Sequence, residues 1–128
     1  MKSLLGKVRR PDVIFRDDGH FDLTARVVRL LGLSPGDVVD VLTDGCEYYF
    51  YVRCHAEQAS GGRYEARVYP SSSKGGHHYR GYSRRLCEAM LKAAGATKKV
   101  CLPCGTSITD SEGRCLLPII VRLNLTER

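Results

Sequence analysis

The sequence predicts a small α+β protein, built mostly from antiparallel strands with two short helices. Short segments of alternating apolar and polar residues, each bounded by Gly, Pro, Asp or Ser, are typical of half-buried strands. Two other segments place apolar residues at helical spacing, and each ends at a glycine. A chain of 128 residues with these elements fits one domain or two very small ones.

The first half of the chain contains a turn, a strand and a helix in close succession at residues 17–32. Phe21 and Leu23 alternate with polar neighbours, as in a strand with one buried face. Thr24 is the predicted N-cap of the helix that follows. Gly32 is the predicted end of that helix, because glycine readily adopts the left-handed conformation found there. The predicted strands of this half span residues 13–15, 20–23, 37–42 and 47–53.

The second half repeats this order of elements. Residues 63–69 alternate in polarity and predict a strand with one solvated face. Residues 70–81 are predicted to form a long polar loop, a kind of segment that is often functional. Ser83 is the predicted N-cap of a second helix, which ends before Gly95. Further predicted strands span residues 99–104 and 115–123. The shared plan of helix, glycine and two strands suggests a degenerate duplication.

Residues 17–41 resemble the DNA-binding half of the AbrB-like (SpoVT/AbrB) swapped-hairpin transcription factors. The matching positions are turn formers, aliphatic residues and one arginine: Gly19, Phe21, Leu23, Arg29, Leu31, Gly32, Leu33, Gly36, Asp37, Val39 and Val41. The resemblance implies a swapped-hairpin half at residues 1–54. A basic strand–helix–hairpin half follows at residues 63–128. If this second half is a degenerate repeat of the first, the two are expected to pack in the same domain. The resemblance also implies a homodimer whose arginines lie along double-stranded DNA.

The net charge of +6 is concentrated in the second half of the chain. Residues 1–53 carry eight Lys or Arg and eight Asp or Glu, whereas residues 54–128 carry twelve and six. Uneven basic charge of this kind indicates a polyanionic partner, and a solvated basic face is the alternative interpretation.

Two sets of basic and aromatic residues are the predicted nucleic-acid contacts. Arginine and lysine neutralise phosphates, and tyrosine can stack on exposed bases. The candidates are Arg9, Arg10, Arg16, His20 and Arg29 in the first half, and Lys74, Arg80, Tyr82, Arg84 and Arg85 in the second. Solvated surface side chains are the alternative for both sets.

We therefore expect a DNA-binding protein, a transcriptional regulator that contacts duplex phosphates. The rival hypothesis is a protein-interaction module, antitoxin-like or accessory to a mobile element, whose basic half binds an acidic protein. The electrically neutral first half favours the rival, and the basic, aromatic segment 74–85 favours DNA. No Ser-His-Asp set, phosphate-binding loop or zinc-hydrolase motif occurs, so we expect neither an enzyme nor a cofactor.

The cysteines and the hydropathy pattern bear on metal binding and on compartment. Cys101 and Cys104 have the spacing of a zinc knuckle or of a redox pair. A structural zinc site needs four ligands and the second pair is missing, so we expect packed thiols and no metal. The sequence has no apolar run of about 18 residues and no signal-peptide pattern at its N-terminus. A bacterial, cytoplasmic protein without membrane contact is the simplest expectation.

Overall fold

The computed structural model describes residues 11–53, 64–71, 77–111 and 113–121. These residues form nine strands and two helices, which confirms the predicted α+β class. The strands are Val13–Arg16 (β1), His20–Leu23 (β2), Val38–Thr43 (β3), Tyr48–Arg53 (β4), Ala66–Pro70 (β5), Tyr79–Tyr82 (β6), Lys99–Leu102 (β7), Ile108–Thr109 (β8) and Cys115–Ile119 (β9). The helices are Ala25–Leu31 (α1) and Arg84–Ala94 (α2).

The strands form one curled sheet in the order β7-β1-β2-β6-β5-β3-β4-β9-β8, and every pairing is antiparallel. The chain just after β7 meets β9, where Cys104 and Ile119 form a β-bridge. Two backbone hydrogen bonds flank this bridge: Ile120 N–H donates to Pro103 O and Gly105 N–H to Pro118 O, both at 2.9 Å. The sheet therefore curls until β7 and β9 come together.

The concave side of the sheet holds the hydrophobic core, which both halves of the chain supply. Phe15 lies at its centre, with ring centroids 5.9 Å from Phe21 and 6.3 Å from Phe50. From the second half, α2 contributes Leu86 and Met90, both fully buried. The buried apolar residues that the structure describes therefore form one interior shared by the two halves.

Most of the pairing pattern is preserved when the two halves are exchanged. In the first half the order is β1, β2, α1, β3, β4, and in the second it is β5, β6, α2, β7, β9. β1 pairs with β2 and β7, and its counterpart β5 pairs with β6 and β3. Two further pairings join counterparts directly, β2 to β6 and β4 to β9. The ladder of β3 with β4 is matched only by the Cys104–Ile119 bridge after β7, and β8, which pairs with β9, has no counterpart among the described strands. One chain thus makes internally the hairpin contacts that the AbrB resemblance assigned to two.

The two helices end in the same way but begin differently. Gly32 (φ 65°) and Gly95 (φ 72°) follow α1 and α2 in the left-handed conformation, as predicted. Ser83 caps α2, its hydroxyl accepting a hydrogen bond from Leu86 N–H at 3.1 Å. Thr24 occupies the N-cap position of α1, but the prediction of a capping hydrogen bond is wrong. Its hydroxyl is instead buried without a hydrogen-bond partner among the described residues.

The predicted loop at residues 70–81 is wrong at both of its ends. Pro70 ends β5, and Tyr79–Tyr82 form β6 in the middle of the sheet. The sequence pattern does not predict β6, because its inward-facing position 81 is a glycine. A Cβ at Gly81 would lie 2.6 Å from Phe21 Cζ and 2.9 Å from Val68 Cγ1, so the core leaves no room for a side chain. Without an apolar residue there, the alternation that reveals a strand is lost.

Candidate nucleic-acid interface

Five adjacent strands, β7, β1, β2, β6 and β5, turn a basic surface away from the core. Apart from Pro70 at the end of β5, their inward positions are buried, and their outward positions are exposed or half-buried. We call this surface the outer face. Its residues are Lys99 and Cys101 on β7, Ile14 and Arg16 on β1, His20 and Asp22 on β2, Arg80 and Tyr82 on β6, and Arg67 and Tyr69 on β5. These ten positions hold four fixed cations and one carboxylate.

Asp22 lies at the middle of the outer face and organises two of its arginines. Arg80, directly opposite on β6, donates from Nε to Asp22 Oδ1 at 2.7 Å and from Nη2 to Oδ2 at 3.3 Å. Arg16 on β1 donates from Nη1 to the same Oδ2. Burial opposes ionisation of Asp22, but the hydrogen bonds from Arg80 and Arg16 outweigh it and lower the pKa of this carboxyl. Two guanidinium groups around one carboxylate leave a net positive charge and further N–H donors.

Tyr82 presents an aromatic ring at one end of the outer face. Its residue is 52% exposed, and its ring meets that of His20 edge-on, with centroids 5.1 Å apart. The ring lies close over Gly19, where a Cβ would come within 2.6 Å of Tyr82 Cε1. Gly19 also has φ +96°, which a side chain would oppose. The ring of Tyr82 therefore packs on the turn before β2, and much of the ring remains exposed to solvent.

Tyr69 presents a second ring on the neighbouring strand. It is also 52% exposed, and its Cε1 lies 3.8 Å from the position of a Cβ at Gly36. Arg67 secures the same turn by donating from Nη1 to Gly36 O at 2.9 Å. Tyr69 lies directly opposite Arg80, and Tyr82 follows two residues later on the same side of β6. Arg80 is therefore a neighbour of both tyrosines, of Tyr69 across the strand pair and of Tyr82 along its own strand.

The structure brings together four of the sequence-predicted residues and separates others. Arg16, His20, Arg80 and Tyr82 all lie on the outer face. Arg84, the first residue of α2, lies beside it, because the side chain of Arg84 interacts with that of Tyr82. Arg85 is exposed on the same helix. Arg9, Arg10 and Lys74 lie outside the described residues.

Arg29 is exposed on α1, apart from the outer face. It borders a groove of about 390 Å³ together with Ala25, Val28, Leu33, Pro70, His77 and Tyr79. The sequence resemblance grouped Arg29 with Arg16 as DNA contacts, but the structure places the two residues on different elements and different surfaces.

Sequence reasoning missed Lys99, Arg67 and Tyr69 as members of the outer face. A signal for the last two was present, because residues 63, 65, 67 and 69 share the solvated side of the alternating segment 63–69. No comparable signal marked Lys99, since its relation to Arg16 appears only when β1 and β7 pair across the whole chain.

Two buried carboxylates hold the fold together away from this surface. Asp12 accepts hydrogen bonds from Arg26 Nη1 at 2.9 Å and from Cys104 N–H at 2.7 Å. Asp40 accepts from Tyr64 N–H at 3.1 Å, among other donors. Buried carboxylates with such partners are satisfied structural groups, and they link segments that are distant in sequence.

The cysteines of the predicted zinc or redox pair lie on opposite sides of the sheet. Cys101 faces outward on β7, whereas Cys104 is fully buried in the core. Among the described residues no group of three or more His, Cys, Asp or Glu is placed to hold a metal ion. Cys87 is also buried, and burial raises the pKa of its thiol to about 11, which keeps it protonated and unreactive at neutral pH.

Comparison of this chain with protein-family models, curated proteins and solved structures finds no match. Within the described ranges, no helix has the length and apolar character needed to cross a membrane.

Proposed function

We propose that the protein binds nucleic acid through the outer face. The observation that supports this function is the charge of that face, four fixed cations against one carboxylate, with two half-exposed tyrosines among them. Guanidinium and ammonium groups on one surface neutralise successive phosphates and release their counterions. The polymer we propose is DNA, and the role is transcriptional regulation in a bacterial cytoplasm; these further statements rest on the AbrB resemblance.

The arginines around Asp22 are suited to this task because they are already positioned. A free arginine side chain loses rotamer freedom when it binds a phosphate, whereas Arg16 and Arg80 are held by hydrogen bonds to the carboxylate. Each guanidinium keeps further N–H groups that can donate to a phosphate oxygen. Binding through phosphate contacts is expected to be salt-sensitive. It is expected to be moderate in strength, because the carboxylate of Asp22 offsets part of the local positive charge.

For the assembly state, we propose a monomer in place of the homodimer expected from the sequence. The resemblance implies a homodimer, and a strand–helix–hairpin of about 45 residues buries too little surface to be stable alone. In the structure, β6 pairs with β2 and β9 pairs with β4. The second half of the same chain therefore supplies the contacts that a partner chain would otherwise make.

Fluorescence anisotropy with labelled oligonucleotides over a series of salt concentrations tests the proposed function. We expect the double variant Arg80→Gln and Lys99→Gln to reduce the slope of log K against log salt by about one and a half units, since each phosphate contact contributes about 0.7 to 0.9. The matched control is Arg29→Gln with Lys92→Gln, which removes the same charge from exposed helix positions. This control should leave the slope nearly unchanged.

Equal losses in the two double variants would contradict the proposal, because net charge and not the outer face would then govern binding. Failure of the wild-type protein to bind any oligonucleotide at low salt would also reject it. That result would leave the protein-interaction module as the better hypothesis.

A further inference from the structure

We infer that the outer face takes single-stranded nucleic acid, with the rings of Tyr69 and Tyr82 stacking on unpaired bases. This inference rests on the proposed function and names the form of the polymer. It differs from the expectation drawn from the sequence resemblance, in which cations alone contact the phosphates of a duplex.

The placement of the two rings is the first argument. Half of each residue is open to solvent, although a tyrosine placed only for stability would bury more of its ring. The ring of Tyr82 lies close over Gly19, and the edge of the Tyr69 ring lies near Gly36; both glycines have positive φ. A ring supported on one side and free on the other loses little conformational entropy when a base stacks on it.

The alternation of rings and cations is the second argument. On the outer face, Arg80 is adjacent to both tyrosines: Tyr69 lies directly opposite it on β5, and Tyr82 follows it by two residues on β6. A single strand alternates in the same way, with a charged phosphate between successive bases. Arg16 extends the cationic row through its shared contact with Asp22. Aromatic rings and a basic track together are what proteins use to hold unpaired strands.

A duplex does not explain the tyrosines. Its bases are stacked on one another, so only its two ends offer a free base face to a ring. Phosphate contacts to a duplex use the arginines and Lys99, and tyrosine hydroxyls can add hydrogen bonds to phosphates, but such contacts leave the faces of the two solvent-exposed rings unused.

The absence of tryptophan from the chain permits a direct test of stacking. The variant Tyr82→Trp carries a single tryptophan at the proposed site, and Tyr49→Trp carries one on β4, away from the outer face. Each is titrated at low salt with oligo(dT), with oligo(rU) and with a hairpin duplex of equal length. We expect single strands to quench the tryptophan at position 82 and to leave the one at position 49 unchanged. Tighter binding of oligo(dT) would identify the ligand as DNA, and tighter binding of oligo(rU) would identify it as RNA.

Substitutions of the rings provide a second readout by anisotropy. We expect Tyr69→Ala and Tyr82→Ala each to weaken single-strand binding by roughly 5- to 100-fold, and the corresponding Phe variants to change it by less than about threefold. Binding of the duplex at least as tight as that of single strands, with unchanged affinity in both Ala variants, would overturn this inference while leaving the proposed function intact. No binding of any of the three probes would instead reject the proposed function itself.

Discussion

Arg80 on β6 donates two hydrogen bonds to Asp22, the residue directly opposite it on β2. The two residues belong to different halves of the chain, so this contact joins the halves on the solvent side of the sheet. On the core side of the same strand pair, Phe21 lies against Gly81. The centre of the molecule is therefore fixed from both sides, by an ion pair outside and by a close aromatic contact inside.

Asp22→Asn is predicted to lower the free energy of unfolding by about 1 kcal/mol at neutral pH, because it removes a partly exposed ion pair with two arginines. The folded state lowers the pKa of Asp22 below its ordinary value of 3.8. Its contribution is therefore fully present above pH 3.8 and is lost as the pH falls through the lower, folded-state pKa. Urea denaturation of wild type and variant over this pH range measures the difference.

A double-mutant cycle with Arg80→Gln separates the ion pair from other effects of the substitution. The coupling energy between positions 22 and 80 should be measurable at neutral pH and should vanish in strong acid. A coupling that stays constant as Asp22 is protonated would show that the pair does not stabilise the fold through charge.

Gly81→Ala is predicted to lower the free energy of unfolding by about 1 to 3 kcal/mol, as overpacking of a filled core does. The added Cβ would meet the ring of Phe21 at 2.6 Å. Gly105→Ala is the matched control, since the nearest atom to its Cβ would be Ile120 Cδ1 at 3.6 Å, an ordinary contact. Thermal or urea denaturation measures both variants, and equal stabilities would show that β6 does not pack against β2 as described.

The two helix N-termini are predicted to respond differently to removal of the capping hydroxyl. Ser83→Ala should lower the free energy of unfolding by about 1 kcal/mol, because it removes the hydrogen bond to Leu86 N–H. Thr24→Val should change it by less than about 0.5 kcal/mol or raise it slightly, because this buried hydroxyl has no described partner to lose. The opposite ranking of the two variants in urea denaturation would contradict the structural difference between the caps.

Local patterns in the sequence predicted most of the elements correctly. Strands such as His20–Leu23 and the helix Arg84–Ala94 follow from alternation, helical spacing, the cap at Ser83 and the glycine stop at Gly95. These signals lie within a few residues of one another, and they reflect forces that act along a short stretch of chain.

Relations between distant segments could not be predicted from local patterns. The strand β6 was missed because Gly81 fits the core by having no side chain, which becomes evident only beside Phe21. The outer face was predicted in part, through Arg16, His20, Arg80 and Tyr82, but not as one surface. That surface depends on the pairing of β2 with β6, which joins segments about sixty residues apart in the sequence.

The protein is predicted to be a monomer of 14.2 kDa in solution. Multi-angle light scattering over a range of concentrations measures this mass directly. The expectation follows from the internal pairing of β2 with β6 and of β4 with β9, which leaves no hairpin of these strands to be exchanged. A mass of twice this value at every concentration would favour the swapped-hairpin dimer that the sequence resemblance implies.

The most direct test of the account is a titration of the ¹⁵N-labelled protein with oligonucleotide, followed by amide chemical shifts. We predict saturable shift changes concentrated on β1, β2, β5, β6 and β7, with the largest around Tyr69, Arg80 and Tyr82. The residues of α1 and of the segment after it that border the groove beside Arg29, namely Ala25, Val28 and Leu33, should change little. Changes centred on α1 and that groove, or no changes with any oligonucleotide at low salt, would contradict the claim that the outer face binds nucleic acid.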